Sequence, residues 1–322
     1  MSLTSEIKNS KSQVRQFFSR FEDKVGIKEC CSIFQSTKTI RPLSFNHLEP
    51  YSFVVHSLIG TTVDYLIRYS AMGNKLIFED TVAHTALTTF YSEEDLYDLD
   101  LMESLKDLYQ IGKQYLDGRP ATDSKAIYSA TALSVLEKKY RGGTLPKLFM
   151  RSIGEKTTRS LLDEYVEWMG GRSYIEDIYE SIKTFVNNIK DPESELFNAR
   201  IVVFNQALEN SALVGGADFD CVIEYSNLLI LTEIKTMVKP LGIEHIRQLI
   251  GYALLYDEEK DRFKFTDIGF YHSRSGSFRL LPVDLIIKLA FPSLDSIRSA
   301  RKLFIQGLLS PSNRVSRPSS AT

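Results

Sequence analysis

Apolar residues recur at three- and four-residue spacing through most of the first half of the chain, the period of amphipathic helices. The pattern predicts helices over residues 10–21, 57–71, 93–116 and 126–140. In the third, Leu96, Leu99 and Met102 alternate with Asp95, Asp98 and Glu103, which reads as a packing stripe rather than chemistry. Gly142-Gly143-Thr144-Leu145-Pro146 and Gly170-Gly171 interrupt the period, and each predicts a turn or boundary. A helix over 174–189 and the turn Asp191-Pro192-Glu193-Ser194-Glu195 follow. Beyond them the period shortens: strands are expected over 201–204, 217–223, 228–236 and 266–272, with helices over 243–256 and 283–290. Residues 310–322 are polar and are expected to be disordered.

The most informative stretch runs from Gly215-Gly216-Ala217-Asp218-Phe219-Asp220 to Glu233-Ile234-Lys235. Two-residue alternation puts Asp218, Asp220 and Val222 on one face and Ala217, Phe219, Cys221 and Ile223 on the other. If Ser226-Asn227 is a two-residue turn, Tyr225 pairs with Leu228, and the same register sets Asp220 opposite Glu233 and Asp218 opposite Lys235. Directly opposed side chains have Cβ atoms about 5 Å apart. Two carboxylates at that separation repel unless one is protonated or a cation lies between them. Oxygen donors of this kind suit Mg²⁺ or Mn²⁺, and Mg²⁺ takes few protein carboxylates because it keeps several waters. An ammonium beside such a cation can orient a water and offset charge developing on a phosphate.

Asp220, an intervening β-hairpin and Glu233-x-Lys235 resemble the PD-(D/E)XK nuclease superfamily, and Gln248-Leu249-Ile250-Gly251-Tyr252 resembles the QxxxY motif of its RecB-like branch. The resemblance covers residues 200–275. It implies that Asp220 and Glu233 are the metal-binding acids, Lys235 the catalytic lysine, and Gln248 and Tyr252 a supporting pair on the helix behind the hairpin. Asp218 competes for the place of the first acid, because Gly215-Gly216-Ala217-Asp218 also fits a GxxD reading. Gly60-Thr61-Thr62-Val63-Asp64 resembles the GxxxH element of RecB-like exonucleases, with Asp where those have His. Asp64 then reads either as an additional oxygen donor to the metal or as a helix acid salt-bridged to Arg68 at i+4. The implied fold is α/β with a mixed sheet: a restriction-endonuclease-like αβββαβ core over 173–295, a large helical elaboration over 1–172, and a helix end and tail over 296–322. The implied activity is Mg²⁺- or Mn²⁺-dependent hydrolysis of phosphodiester bonds in DNA. A non-cleaving, nuclease-like DNA-binding or protein-interaction module is the alternative.

Taken alone, a Glu-x-Lys on a strand reads as a solvated face, and Gln248 and Tyr252 as ordinary helix positions. The Gly-Gly entry, the apolar run ahead of Glu233 and the i, i+4 spacing of Gln248 and Tyr252 favour a site. His245, a turn earlier, reads as a cap or packing residue before a ligand, and His47, His56, His84 and His272 lack metal-ligand spacing.

With 322 residues and 43% hydrophobic side chains, the chain can bury a substantial core. No apolar run approaches the roughly 20 residues that cross a bilayer, and no signal-peptide pattern opens the sequence, which points to the cytoplasm. Three cysteines, Cys30, Cys31 and Cys221, form neither a disulfide framework nor a zinc site, and Cys221 is expected to pack in the core. A net charge of −2 argues against a protein that coats nucleic acid nonspecifically, but leaves room for local phosphate tracks. Candidates are Lys138-Lys139-Tyr140-Arg141, Lys235 with Lys239, and Arg274 with Arg279, each of which alternatively reads as solvated surface. The helical elaboration suits target recognition or contact with a partner protein or second copy of the chain.

Overall fold

The computed structural model describes residues 3–42, 52–74, 76–92, 99–141 and 158–310. The expected boundary at Gly142-Gly143, the tail beyond residue 310, His47 and the start of the helix expected over 93–116 lie outside these. The first helices are α1 Leu3–Lys8, α2 Gln13–Phe21, α3 Lys24–Phe34 and α4 Ser52–Ala71. They are followed by α5 Val82–Ser92, α6 Leu99–Leu116, α7 Ser124–Tyr140, α8 Thr158–Trp168 and α9 Arg172–Lys190. Side-chain caps set several starts: Ser12 accepts from the Arg15 amide, Asp23 from Gly26 and Asp123 from Lys125.

Strands β1 Arg200–Phe204, β2 Cys221–Tyr225 and β3 Leu228–Lys235 precede α10 Ile243–Leu255. Strands β4 Asp267–His272 and β5 Ser277–Pro282, α11 Val283–Ala290 and α12 Ile297–Leu309 complete the chain. The mixed α/β class is as expected: a five-stranded sheet in the order β1-β2-β3-β4-β5, antiparallel except for the β3/β4 pair. That parallel pair follows from α10, which carries the chain from the end of β3 back to the start of β4.

Ser226 and Asn227 both take positive φ, 49° and 64°, forming the tight turn whose twist matches the flanking strands. Tyr225 pairs with Leu228 as the register requires, and the ladder runs to Cys221 opposite Thr232. It stops there, short of the expected start at residue 217. Asp218 forms a single bridge to Ala207 and does not face Lys235, whose partner across the sheet is His272 of β4.

The sheet separates two cores. On one face Cys221, Ile223, Ile230 and Tyr271 pack with α4 through α9. On the other, Val222, Leu231, Ile268 and Phe270 pack with α10, α11 and α12 and with α1 through α3, so residues 3–34 lie on the opposite face from 52–190. Gly251, inside the Gln248-to-Tyr252 stretch, permits this docking, since a Cβ there would stand 2.9 Å from Leu3 Cδ2. Helices α1, α3, α5 and α8 and strand β5 had no sequence-based expectation. Among the described residues, no helix is long and apolar enough to cross a membrane.

Candidate metal centre

The ends of β2 and β3 nearest α10 hold the sequence-derived residues. Glu233 and Lys235 are two apart on β3 and share a face with Leu231, which packs toward α10. Lys235 Nζ donates to Glu233 Oε2 at 2.6 Å and to Gln248 Oε1 at 3.2 Å. Gln248 Nε2 donates to the Tyr252 hydroxyl at 2.9 Å, and that hydroxyl donates to the Asp218 carbonyl at 3.0 Å. The direction of this relay is forced. A carbonyl can only accept, so the Tyr252 proton points to Asp218, the hydroxyl accepts from the Gln248 amide group, and Gln248 Oε1 is left to face the ammonium.

Asp220 lies one residue before the ladder. Its Oδ2 accepts from the Ile234 amide, between Glu233 and Lys235, at 2.7 Å. Burial, joined by the Glu233 charge, pushes the Asp220 carboxyl up to about 7 despite Lys235 nearby. Burial by itself would lower Lys235, but Glu233 and Asp220 more than offset it and hold the ammonium above its ordinary value. Burial, reinforced by Glu233 and Asp220, raises the Tyr252 phenol well above its usual range, so it stays protonated and able to donate.

From the other face of the sheet α4 brings Asp64, which Arg68 contacts in an i, i+4 ion pair. This is the salt-bridged reading of Asp64. Burial pushes its carboxyl up to about 7 against the pull of Arg68, and the charge of Asp220 on the hairpin adds to the rise. Asp218, by contrast, is engaged by Arg141 Nη2 at 2.6 Å. That contact outweighs burial and holds its carboxyl below the ordinary value. Arg141 also donates to Glu137 at 2.9 Å, one turn earlier on α7.

Two carboxylate oxygens near the hairpin, Glu233 Oε1 and Asp64 Oδ1, are buried without a hydrogen-bond partner, as is Glu137 Oε2. Glu233 is only 2% exposed, so bulk solvent does not reach its free oxygen. Such atoms cost free energy unless a cation or an ordered water meets them. Among the described residues, no group of three or more His, Cys, Asp or Glu side chains is assembled closely enough to hold a metal ion.

Other sequence candidates resolve differently. His245 Nδ1 accepts from the Gly242 amide at 2.9 Å, so it caps α10; burial first, then Lys235, pushes it down to about 4. Arg274 is buried and bidentate to Asp177, at 2.7 and 2.6 Å, which removes it from any phosphate track. Arg279 reaches Glu195 at 3.3 Å, and Lys239 is exposed. Cys221 is fully buried as expected. Glu137 had no sequence-based role. Its spacing to Arg141 was the available signal, but only the fold shows that Asp218 meets this pair. The chain matches no protein-family model and no curated protein.

Proposed function

We propose that the protein is a divalent-metal-dependent nuclease acting on DNA, built on a restriction-endonuclease-like αβββαβ core that runs from α9 through β4. The observation that carries this reading is the Asp220–Ile234 bond, which keeps a carboxylate beside Glu233 and Lys235 at the end of a buried hairpin. Asp220 and Glu233 would hold Mg²⁺ or Mn²⁺, with Asp64 as a further oxygen donor; the free oxygens of Glu233 and Asp64 fit that role. When bound, the cation supplies Lewis-acid polarisation of the phosphate. Asp218, engaged by Arg141, orients the motif through its carbonyl contact with Tyr252.

The chain's own residues supply the rest. Lys235 has three N–H donors, and Glu233 and Gln248 take two. The third is available to orient a water or meet a phosphate oxygen. Gln248 and Tyr252 prevent the ammonium from swinging out. Arg68 balances charge behind the acids.

The internal ion pairs Lys235–Glu233 and Arg68–Asp64 favour a second reading, in which the same fold recognises DNA without cutting it. Incubation with end-labelled single- and double-stranded DNA separates the two. Cleavage that needs Mg²⁺ or Mn²⁺, stops with chelator and is lost in Asp220→Asn, Glu233→Gln and Lys235→Ala supports the nuclease. Binding without cleavage supports the second reading, and cleavage retained in all three folded variants rejects the assigned mechanism.

A further inference from the structure

A cavity of about 350 Å³ lies along the open edge of β1, against the end of α4. Arg68, Asp80 and Thr81 line it beside the apolar Ala71, Met72, Ile77 and Val202. Its volume is at the small end of the range for small-molecule sites, about 300–1,000 Å³. The cavity can take a single flat group with both polar and apolar edges but not a duplex.

Three observations point to a ligand there. Arg68 lines the cavity and is 2% exposed, and its Nε, buried behind the cavity wall, has no hydrogen-bond partner, so one charged donor next to the cavity is unmet. Leaving such a donor unpaired is costly, and an acceptor on a ligand would remove that cost. Second, β1 carries a bulge: the register moves from Ile201–Ile223 to Val203–Val222, which sets Val202 apart as the extra residue. Val202 is 46% exposed, an apolar side chain turned out at the sheet edge, as bulges beside functional sites commonly arrange. Third, the cavity is linked to the candidate centre through Arg68, which lines it and pairs with Asp64.

We propose that this cavity is a subsite for one unpaired nucleotide, its base against Ala71, Met72 and Ile77 and an acceptor oxygen turned toward the Arg68 guanidinium. The identity of the ligand rests on the nuclease reading; the cavity and its unmet donor do not. A substrate seated this way presents a frayed end, a flap or a single strand, because a paired base cannot enter.

The test is calorimetric titration of the full-length protein, in chelator, with thymidine 5′-monophosphate, thymidine and inorganic phosphate. Wild type should bind the nucleotide saturably, and phosphate alone should bind at least about tenfold more weakly. Thymidine binding as tightly as its monophosphate would place the acceptor on the base; weaker binding would place it on the phosphate. Ala71→Phe, which fills the cavity, and Ile77→Glu, at an exposed position on its wall, should each weaken nucleotide binding about tenfold or more. Asp220→Asn should bind nucleotide like wild type while losing affinity for Mn²⁺ in a separate titration without chelator. Loss of Mn²⁺ binding in no variant would therefore count against the metal centre and not the subsite. The subsite is overturned if wild type binds no nucleotide, if phosphate binds equally well, or if folded Ile77→Glu binds like wild type.

Discussion

Asp220 accepts the Ile234 amide hydrogen through Oδ2 at 2.7 Å, so the carboxylate preceding β2 is clamped to the peptide between Glu233 and Lys235. The clamp holds two acids together on a buried surface, and burial with the Glu233 charge raises the Asp220 carboxyl from an ordinary 3.8 to about 7. Between those values the folded chain holds a proton that the unfolded chain has released. The stabilisation is thus complete below about pH 4 and disappears as pH rises through 7.

Asp220→Asn keeps an acceptor for Ile234 but cannot ionise. Without metal, the variant should gain stability relative to wild type between pH 5 and pH 8, by about 2 kcal/mol. Urea unfolding of both proteins in chelator at the two pH values measures the difference. Equal changes in the two proteins would mean that Asp220 ionises freely in the fold.

The Tyr252 hydroxyl joins Gln248 to the Asp218 carbonyl. Tyr252→Phe removes the hydroxyl and leaves both partners short of a hydrogen bond inside the protein, a loss of about 1–2 kcal/mol. Gln248 can then turn its amide, which releases Lys235. If the nuclease reading is right, cleavage should fall about tenfold or more with substrate affinity little changed, because the lysine is mispositioned rather than removed. Chemical denaturation and steady-state kinetics separate the two effects.

Much of this site was legible in the sequence because its parts obey short periods. The turn at Ser226-Asn227 fixes the hairpin register, and the i, i+4 spacing of Gln248 and Tyr252 fixes a shared helix face. Residue alternation failed at Asp218, since a period of two continues on paper after the ladder has ended, and Arg141 determines where that side chain goes. The contact with Arg141 is separated by 77 residues, beyond what local pattern can encode. Helix α5, Val-Ala-His-Thr-Ala-Leu-Thr-Thr-Phe-Tyr-Ser, is rich in β-branched residues, and its helical state is imposed by packing on α6 and α7. Strand β5 is short and ends at Pro282, so its pattern alone is weak.

Asp64 and Arg68 form a pair in which each partner answers the other's burial. Asp64→Ala leaves the guanidinium without its carboxylate and should cost about 2–3 kcal/mol. Arg68→Met should cost a similar amount by stranding Asp64. The double variant should lose markedly less than the sum of the two, because the stranded charge is gone in both directions. Additive losses in a denaturation cycle would show that the two side chains do not depend on each other.

Two glycines that look alike in sequence should behave oppositely. At Gly26 on α3 a Cβ would stand 1.9 Å from the Leu289 carbonyl oxygen of α11, a backbone atom that cannot swing aside. Gly26→Ala should therefore push α3 off α11 and cost about 3 kcal/mol. Gly60 heads the stretch that ends at Asp64, and a Cβ there would meet nothing within 4 Å. It lies inside α4, where glycine carries backbone freedom that folding must remove. Gly60→Ala should then raise stability by about 0.5–1 kcal/mol and leave Mn²⁺ binding unchanged. Thermal unfolding of the two variants beside wild type decides the matter: destabilisation by Gly60→Ala would mean that this glycine makes room for a group that approaches α4 in solution.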